Sequence, residues 1–162
     1  MSIKIKKAMF KVAYPIMRII WKIFKPNTIG VRVAIFNSDG EILLVKHTYR
    51  GGYFFPGGGL HKGETFREGM VREVKEETNL VLNENALHMI GTYQYFEEGK
   101  NDIVVFAMVN YNGNKDDLHI DPVEISNADW FKLDKLPEDL SSGIERRLKD
   151  IKDGKSDIYS LW

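Results

Sequence analysis

The 162 residues suffice for one domain with a sizeable core and are too few for two. Apolar and charged fractions are ordinary for a globular protein, and the lack of cysteine excludes a disulfide framework, a thiolate metal site and a cysteine nucleophile, which suits a reducing, cytoplasmic setting. The formal net charge of zero conceals an asymmetry: residues 1 to 25 hold Lys4, Lys6, Lys7, Lys11, Arg18, Lys22 and Lys25 and no acid, so the remainder is acidic by the same amount. An acidic remainder offers no broad basic surface for a polyanion, and nucleic acid is not an expected partner.

Ile3 to Phe24 is rich in Ile, Met, Phe and Trp. At about 100° per residue, all the basic residues but Lys6 fall on a stripe roughly 60° to 80° wide. The apolar arc that remains is broad and includes Phe10, Met17, Ile20, Trp21 and Phe24. Basic residues interrupt it too often for an ordinary membrane span, and no small-residue cleavage site follows. Pro15 is expected to kink the helix or split it. Two readings stand for residues 1–26. In one, the arc packs on the domain or on a second subunit, giving a homodimer, with the stripe solvated. In the other, residues 3–25 lie in a membrane interface with Trp21 and Phe24 buried, a weak association peripheral to the inner face of the membrane.

Residues 27–162 read as a single domain. Gly30 to Phe36 has the β-branched content of a strand, Asn37 to Gly40 turns, and Glu41 to His47 is the second strand of a tight hairpin. His47 to Gly52 is a loop and Tyr53 to Pro56 a short extended piece. Glu64 to Thr78 is helical. His88 to Phe96, Ile103 to Tyr111 and Glu124 to Leu133 read as strands, with turns at Glu97 to Asp102 and Asn112 to Asp117. Ser142 to Ile151 has the N-cap and spacing of a closing helix. The pattern predicts a mixed, strand-rich sandwich flanked by helices.

Chemistry concentrates between Gly57 and Leu80. Glu73, Glu76 and Glu77 project within about 100° of one another if the segment is helical. Met70, Val71 and Val74 point to the adjoining side, and Arg72 is placed to orient a carboxylate. Like charges so close repel unless neutralised, and hard divalent cations take oxygen ligands of this kind. A solvated helix with i, i+4 pairs is the other meaning of such a segment; against it stand three glutamates facing one way with a single arginine nearby. Gly57, Gly58 and Gly59 permit close approach of a ligand.

The run Gly58, Glu64, Arg72, Glu73, Val74, Glu76, Glu77, Asn79, Leu80 is similar in residue type and spacing to the Nudix box, departing from it only by Asn79 in place of glycine. That glycine serves a left-handed helix terminus, which asparagine tolerates next best. The resemblance implies an α/β/α sandwich with a mixed sheet and a Mg²⁺- or Mn²⁺-dependent pyrophosphohydrolase. Its expected substrate is a nucleoside diphosphate linked to another moiety, or a nucleoside triphosphate. By the family's pattern Glu73, Glu76 and Glu77 are expected metal ligands, with the carbonyl of Gly57, while Glu64 is a supporting acid and Arg72 holds the glutamates. An acid outside the box is expected at Glu124, with Asp121 the runner-up, and the base is Glu124 or a box glutamate. Lys46, His47 and Arg50 are candidates for substrate phosphate, with surface solvation the equal alternative. Tyr53 and Phe54 stack on a base or belong to the core or rim, and His61 reads as a loop residue. Two other functions stand beside this one: a membrane-associated hydrolase of lipid-linked or lipid-precursor diphosphates, and a nucleotide-binding Nudix module without turnover, against which the intact glutamate set argues.

Overall fold

A computed structural model describes residues 3–24, 26–96 and 101–162, excepting the side chains of residues 3–7, 10 and 11. The places assigned above to Lys4, Lys6, Lys7, Phe10, Lys11 and Lys25, and the turn residues 97–100, lie outside the described set. The elements in order are α1 (Ile3–Phe24), β1 (Asn27–Phe36), β2 (Ile42–His47), β3 (Tyr53–Phe54), α2 (Phe66–Thr78), β4 (His88–Tyr95), β5 (Asn101–Asn110), β6 (Ile125–Phe131), α3 (Ile144–Lys152) and β7 (Ile158–Leu161).

β1 and β5 run parallel at the centre, in register from Asn27↔Asn101 to Phe36↔Asn110. β4 lies antiparallel on β5, and β7 adds a parallel edge to β4. On the other side β2 meets β1 only at the hairpin, Phe36↔Ile42, and pairs with β3 and β6. Alternation along β1 sends Val31, Val33 and Ile35 to one face, where Met70 and Val74 of α2 cover them. On the opposite face Ala34 packs with Phe55, Phe106, Ile144 of α3 and the ring of Trp162. The result is the expected α/β/α sandwich on a mixed sheet. Met70 and Val74 are fully buried, each stabilising by about 1.5–3 kcal/mol. Core packing therefore fixes α2 along one edge and leaves its other face available for charge.

Several boundaries differ from the sequence reading. Pairing with β5 extends β1 back from Gly30 to Asn27. α2 begins after Thr65, whose side chain and that of Glu68 form a reciprocal capping box, so Glu64 precedes the helix. α3 begins after Gly143 with no side-chain cap, where Ser142 was the expected one. α1 continues through Pro15 unsplit. β7 was not foreseen, because its four residues acquire meaning only by pairing with Gly91 to Gln94.

Asn79 adopts φ 62° at the C-cap of α2, its N–H donating to the Lys75 carbonyl at 2.9 Å. That is the left-handed conformation expected at the departure from the box. Asn79→Ala is expected to cost about 1 kcal/mol in urea unfolding, because alanine pays the steric cost of that conformation, whereas Asn79→Gly holds or raises stability.

Candidate active site

α2, the glycine turn, β1 and the segment ahead of β6 converge on a cleft of about 920 Å³, bordered by Arg32, Tyr49, Gly58, Glu73, Glu76 and Glu124 among others. The turn is stitched to β1 by backbone hydrogen bonds from Val31 N to Gly58 O (2.9 Å) and from Val33 N to Pro56 O (3.0 Å). Gly57 sits at φ +138°, where a Cβ would fall 2.1 Å from the Val31 carbonyl oxygen, so only glycine fits. Its N–H donates to Glu77 Oε2 at 2.9 Å. At Gly58 a Cβ would lie 2.3 Å from Glu73 Oε2, and its absence lets that carboxylate lie across the turn.

The acids form two tiers. Arg72 serves the outer one: Nε and Nη2 donate to the two oxygens of Glu64 (2.6 and 2.9 Å), and Nη1 donates to Glu73 (2.8 Å) and Glu76 (3.0 Å). Nη2 also reaches the Gly59 carbonyl at 3.0 Å. This fork drops the Glu64 carboxyl to about 2, and the same carboxylates push the guanidinium up. The inner tier is Glu77 and Glu124, and among the described residues no cationic side chain hydrogen-bonds either. Glu77 is 3% exposed, and burial pushes its carboxyl up to about 8, reinforced by Glu73 and Glu124 and opposed by the Gly57 N–H and Arg32. Burial likewise raises Glu124, as do Glu73, Asp121 and Glu76; the Tyr49 hydroxyl, donating at 3.2 Å, opposes them. His47 is buried beside this tier and neutral, its imidazole driven down to about 3 by burial, Arg32 and Arg50.

The sequence candidates separate accordingly. Gly57, Glu64, Arg72, Glu73, Glu76, Glu124, His47 and Arg50 border the cleft, and Glu77 lies buried against Gly57. Gly57 touches Glu77 through its N–H, not its carbonyl. Lys46 and Tyr53 are not at the cleft: Lys46 Nζ bonds Asp139 at 2.6 Å, and Tyr53 packs on Phe131 and accepts from Asn127. Strand alternation explains it, since β2 turns Lys46 to the side opposite His47. Phe54 is a buried residue beneath the Arg50 guanidinium, the core reading. Asp121 accepts the Val123 N–H at 2.8 Å, a loop role, and His61 is exposed on its loop. Sequence reasoning missed Arg32, whose charge inside the strand GVRVAIF was the available signal, and Tyr49, within a stretch read only as loop. It also missed that Tyr14 and Trp21 of α1 border the cleft, with Tyr14 5.0 Å from the Tyr49 ring. Trp21 therefore faces the domain, while Phe24 is exposed.

The sequence model of the NUDIX domain matches residues 26–151. An ADP-ribose pyrophosphatase of Methanocaldococcus jannaschii is 30% identical over 120 residues, covering 72% of this chain and 69% of that protein. Among solved structures, a MutT NUDIX hydrolase from Burkholderia pseudomallei superposes with a TM-score of 0.69 at 22% identity, covering 78% of this chain and 98% of its own. A bifunctional NMN adenylyltransferase/ADP ribose pyrophosphatase from Francisella tularensis, complexed with AMP and a Mn ion, reaches 0.68 at 20% identity over 88% of this chain and 48% of that one. The chain belongs to the Nudix family, and it is a hydrolase acting on phosphoanhydride bonds.

Proposed function

We propose that the chain is a metal-dependent pyrophosphohydrolase that cleaves the diphosphate linkage of a nucleoside diphosphate joined to a second moiety, with nucleoside triphosphates the next class. One observation carries the metal reading: two neighbouring carboxylates, the buried Glu77 and the half-buried Glu124, are held where burial raises the proton affinity of both, while among the described residues the guanidinium bonded to the site's glutamates, Arg72, serves the outer tier. Such a donor set fits a hard divalent cation. Glu73, Glu76 and Glu77, with Glu124, Glu64 and Gly57 around them, would hold Mg²⁺ or Mn²⁺. Bound there, the cation supplies charge neutralisation of the diphosphate and a more acidic water. Mn²⁺ and AMP accompany the Francisella relative, and the named activity of the Methanocaldococcus relative favours ADP-ribose as the first substrate to try.

In this reading Arg72 fixes the directions of Glu64, Glu73 and Glu76, and the Gly57 N–H fixes Glu77. The attacking water gives its proton to a carboxylate as its oxygen bonds phosphorus and the bridging P–O bond breaks. Glu124 suits that proton by its place at the cleft wall, and Glu77 is the other candidate. Arg50 and Arg32 meet the phosphates. A phosphate-release screen over ADP-ribose, sugar nucleotides, nucleoside triphosphates, dinucleoside polyphosphates and CDP-alcohols, with Mg²⁺ and with Mn²⁺, tests the assignment. Hydrolysis of one class that Glu76→Gln removes is expected; no hydrolysis of any, or full activity of the variant, overturns it.

A second reading concerns where the enzyme works. Val12, Ile16, Ile19 and Ile23 of α1 are all more than half exposed on the side away from Tyr14 and Trp21, and Phe24 at the helix end is exposed too. No described helix is long and apolar enough to cross a membrane. An outward apolar face on a basic helix suits an anionic lipid surface at the inner face of the membrane, and with it a lipid-linked diphosphate substrate. Flotation with phosphatidylserine vesicles, lost in a triple Ile16→Ser, Ile19→Ser, Ile23→Ser variant, is the expected result. A homodimer in light scattering that the same substitutions dissociate, without flotation, sinks the lipid reading.

A further inference from the structure

His47 comes from β2, Glu124 from the segment before β6 and Glu77 from α2. One ligand-type atom of each lies within 4.8 Å of the other two. The juxtaposition is built by the backbone. The β2–β6 register shifts between Lys46 and His47, setting His47 opposite Ile125, and the Thr48 N–H donates to the Glu124 carbonyl at 2.8 Å. Bulges of this kind re-aim side chains beside functional sites. The imidazole is wedged between Tyr49 and Phe54, with ring centroids 5.1 and 5.4 Å away.

His47 is 6% exposed, yet neither ring nitrogen makes a hydrogen bond among the described residues. Nδ1 is buried without a partner, and Nε2 lies 3.9 Å from Glu77 Oε1, beyond hydrogen-bond reach. Nδ1 is the sealed nitrogen; Nε2 is the one turned toward Glu77 at the cleft, and with no protein partner among the described residues it is left to a ligand from the cleft. The neighbouring carboxylates define what that is, because an ion bonded at about 2.0–2.2 Å to both a nitrogen and an oxygen spans up to about 4.4 Å, which covers the 3.9 Å between Nε2 and Glu77 Oε1.

We propose that His47 is a nitrogen ligand of the metal centre, completing with Glu77 and Glu124 a mixed nitrogen and oxygen site that favours Mn²⁺ and Co²⁺ over Mg²⁺. The inference rests on the reading of this cleft as a metal site and adds its selectivity. Oxygen-only sets suit Mg²⁺, whereas imidazole suits first-row transition ions. His61, 3.6 Å from Glu64 at the outer rim, is a different histidine facing the same cleft and serves as the internal control.

The test is pulsed electron paramagnetic resonance of Mn²⁺ bound to the full chain, natural and ¹⁵N-histidine labelled. A histidine nitrogen coupling that changes with the label is expected, retained in His61→Gln and lost in His47→Gln. His47→Gln is expected to weaken Mn²⁺ binding by about tenfold or more while Mg²⁺ affinity changes by less than about threefold. Mn²⁺ bound by the wild-type chain without a histidine coupling overturns the nitrogen ligand and leaves the metal reading standing. No Mn²⁺ binding at all removes both. If His47→Gln fails to fold, the labelled His61→Gln spectrum decides the matter, because it removes the other histidine at the cleft.

Discussion

Glu77→Gln is expected to lower metal-dependent turnover by about 10³-fold, the rate equivalent of several kcal/mol of lost transition-state stabilisation. Glutamine keeps the shape of the side chain and an oxygen for the Gly57 N–H, so the loss belongs to charge and not to packing. The same variant has a signature without metal. In the wild-type chain in EDTA the Glu77 carboxyl is raised from 4.5 to about 8, so the folded state holds a proton that the unfolded state releases. That contribution is fully present below about pH 4.5 and is lost as pH rises through about 8. Thermal stability of the metal-free wild type should therefore fall between those limits relative to Glu77→Gln. An identical pH dependence in the two proteins would remove Glu77 from the buried tier. Turnover within about threefold of wild type would remove it from the reaction.

The residues that carry the outer tier were legible because a helix maps sequence spacing onto space. Arg72, Glu73 and Glu76 lie on one short helix, and Glu64 just before it, so the box spacing was almost a coordinate list. The left-handed cap at Asn79 was legible for the same local reason. The inner tier was harder. Glu124 is brought to Glu77 by long-range contacts, the β2–β6 pairing and the backbone bonds of His119 and Asp121 to the end of α2, and its place rested on resemblance, not on the residues. His47 and Lys46 looked equivalent as neighbouring basic side chains; a strand sends them to opposite sides, and which side faces the cleft is decided by tertiary pairing. Tyr53 failed for that reason too, since β3 presents it to Phe131 and Asn127. Nothing in the periodicity of α1 specified which part of its broad apolar arc would turn toward the domain. Only the packing of Tyr14 against Tyr49 shows that the helix borders the cleft with Tyr14 and Trp21 and turns its aliphatic residues outward.

Arg72→Ala is the second large effect expected, and it separates the two tiers. One guanidinium bonds Glu64 through two nitrogens and reaches Glu73, Glu76 and the Gly59 carbonyl as well. Alanine leaves three carboxylates converging with no counter-charge, so turnover should fall by about 10²-fold or more as the acids lose their directions. Arg72→Lys should recover little, because an ammonium is a compact charge that cannot span a bidentate pair and two further oxygens at once. The metal-free variant should lose about 2 kcal/mol of stability, the scale of a charged hydrogen-bonded partner removed from a half-buried site. Mg²⁺ or Mn²⁺ should then raise its melting temperature more than that of the wild type, since the cation replaces part of the missing positive charge. The acid limb shifts as well. Arg72 holds the Glu64 carboxyl at about 2, so the pair stabilises the fold above the ordinary 4.5 and gives way only as pH falls toward about 2, a reserve that Arg72→Ala lacks. A purely structural arginine would lower stability equally with and without metal. A differential response to the cation, together with the lost turnover, is what a residue that positions metal-binding acids must show.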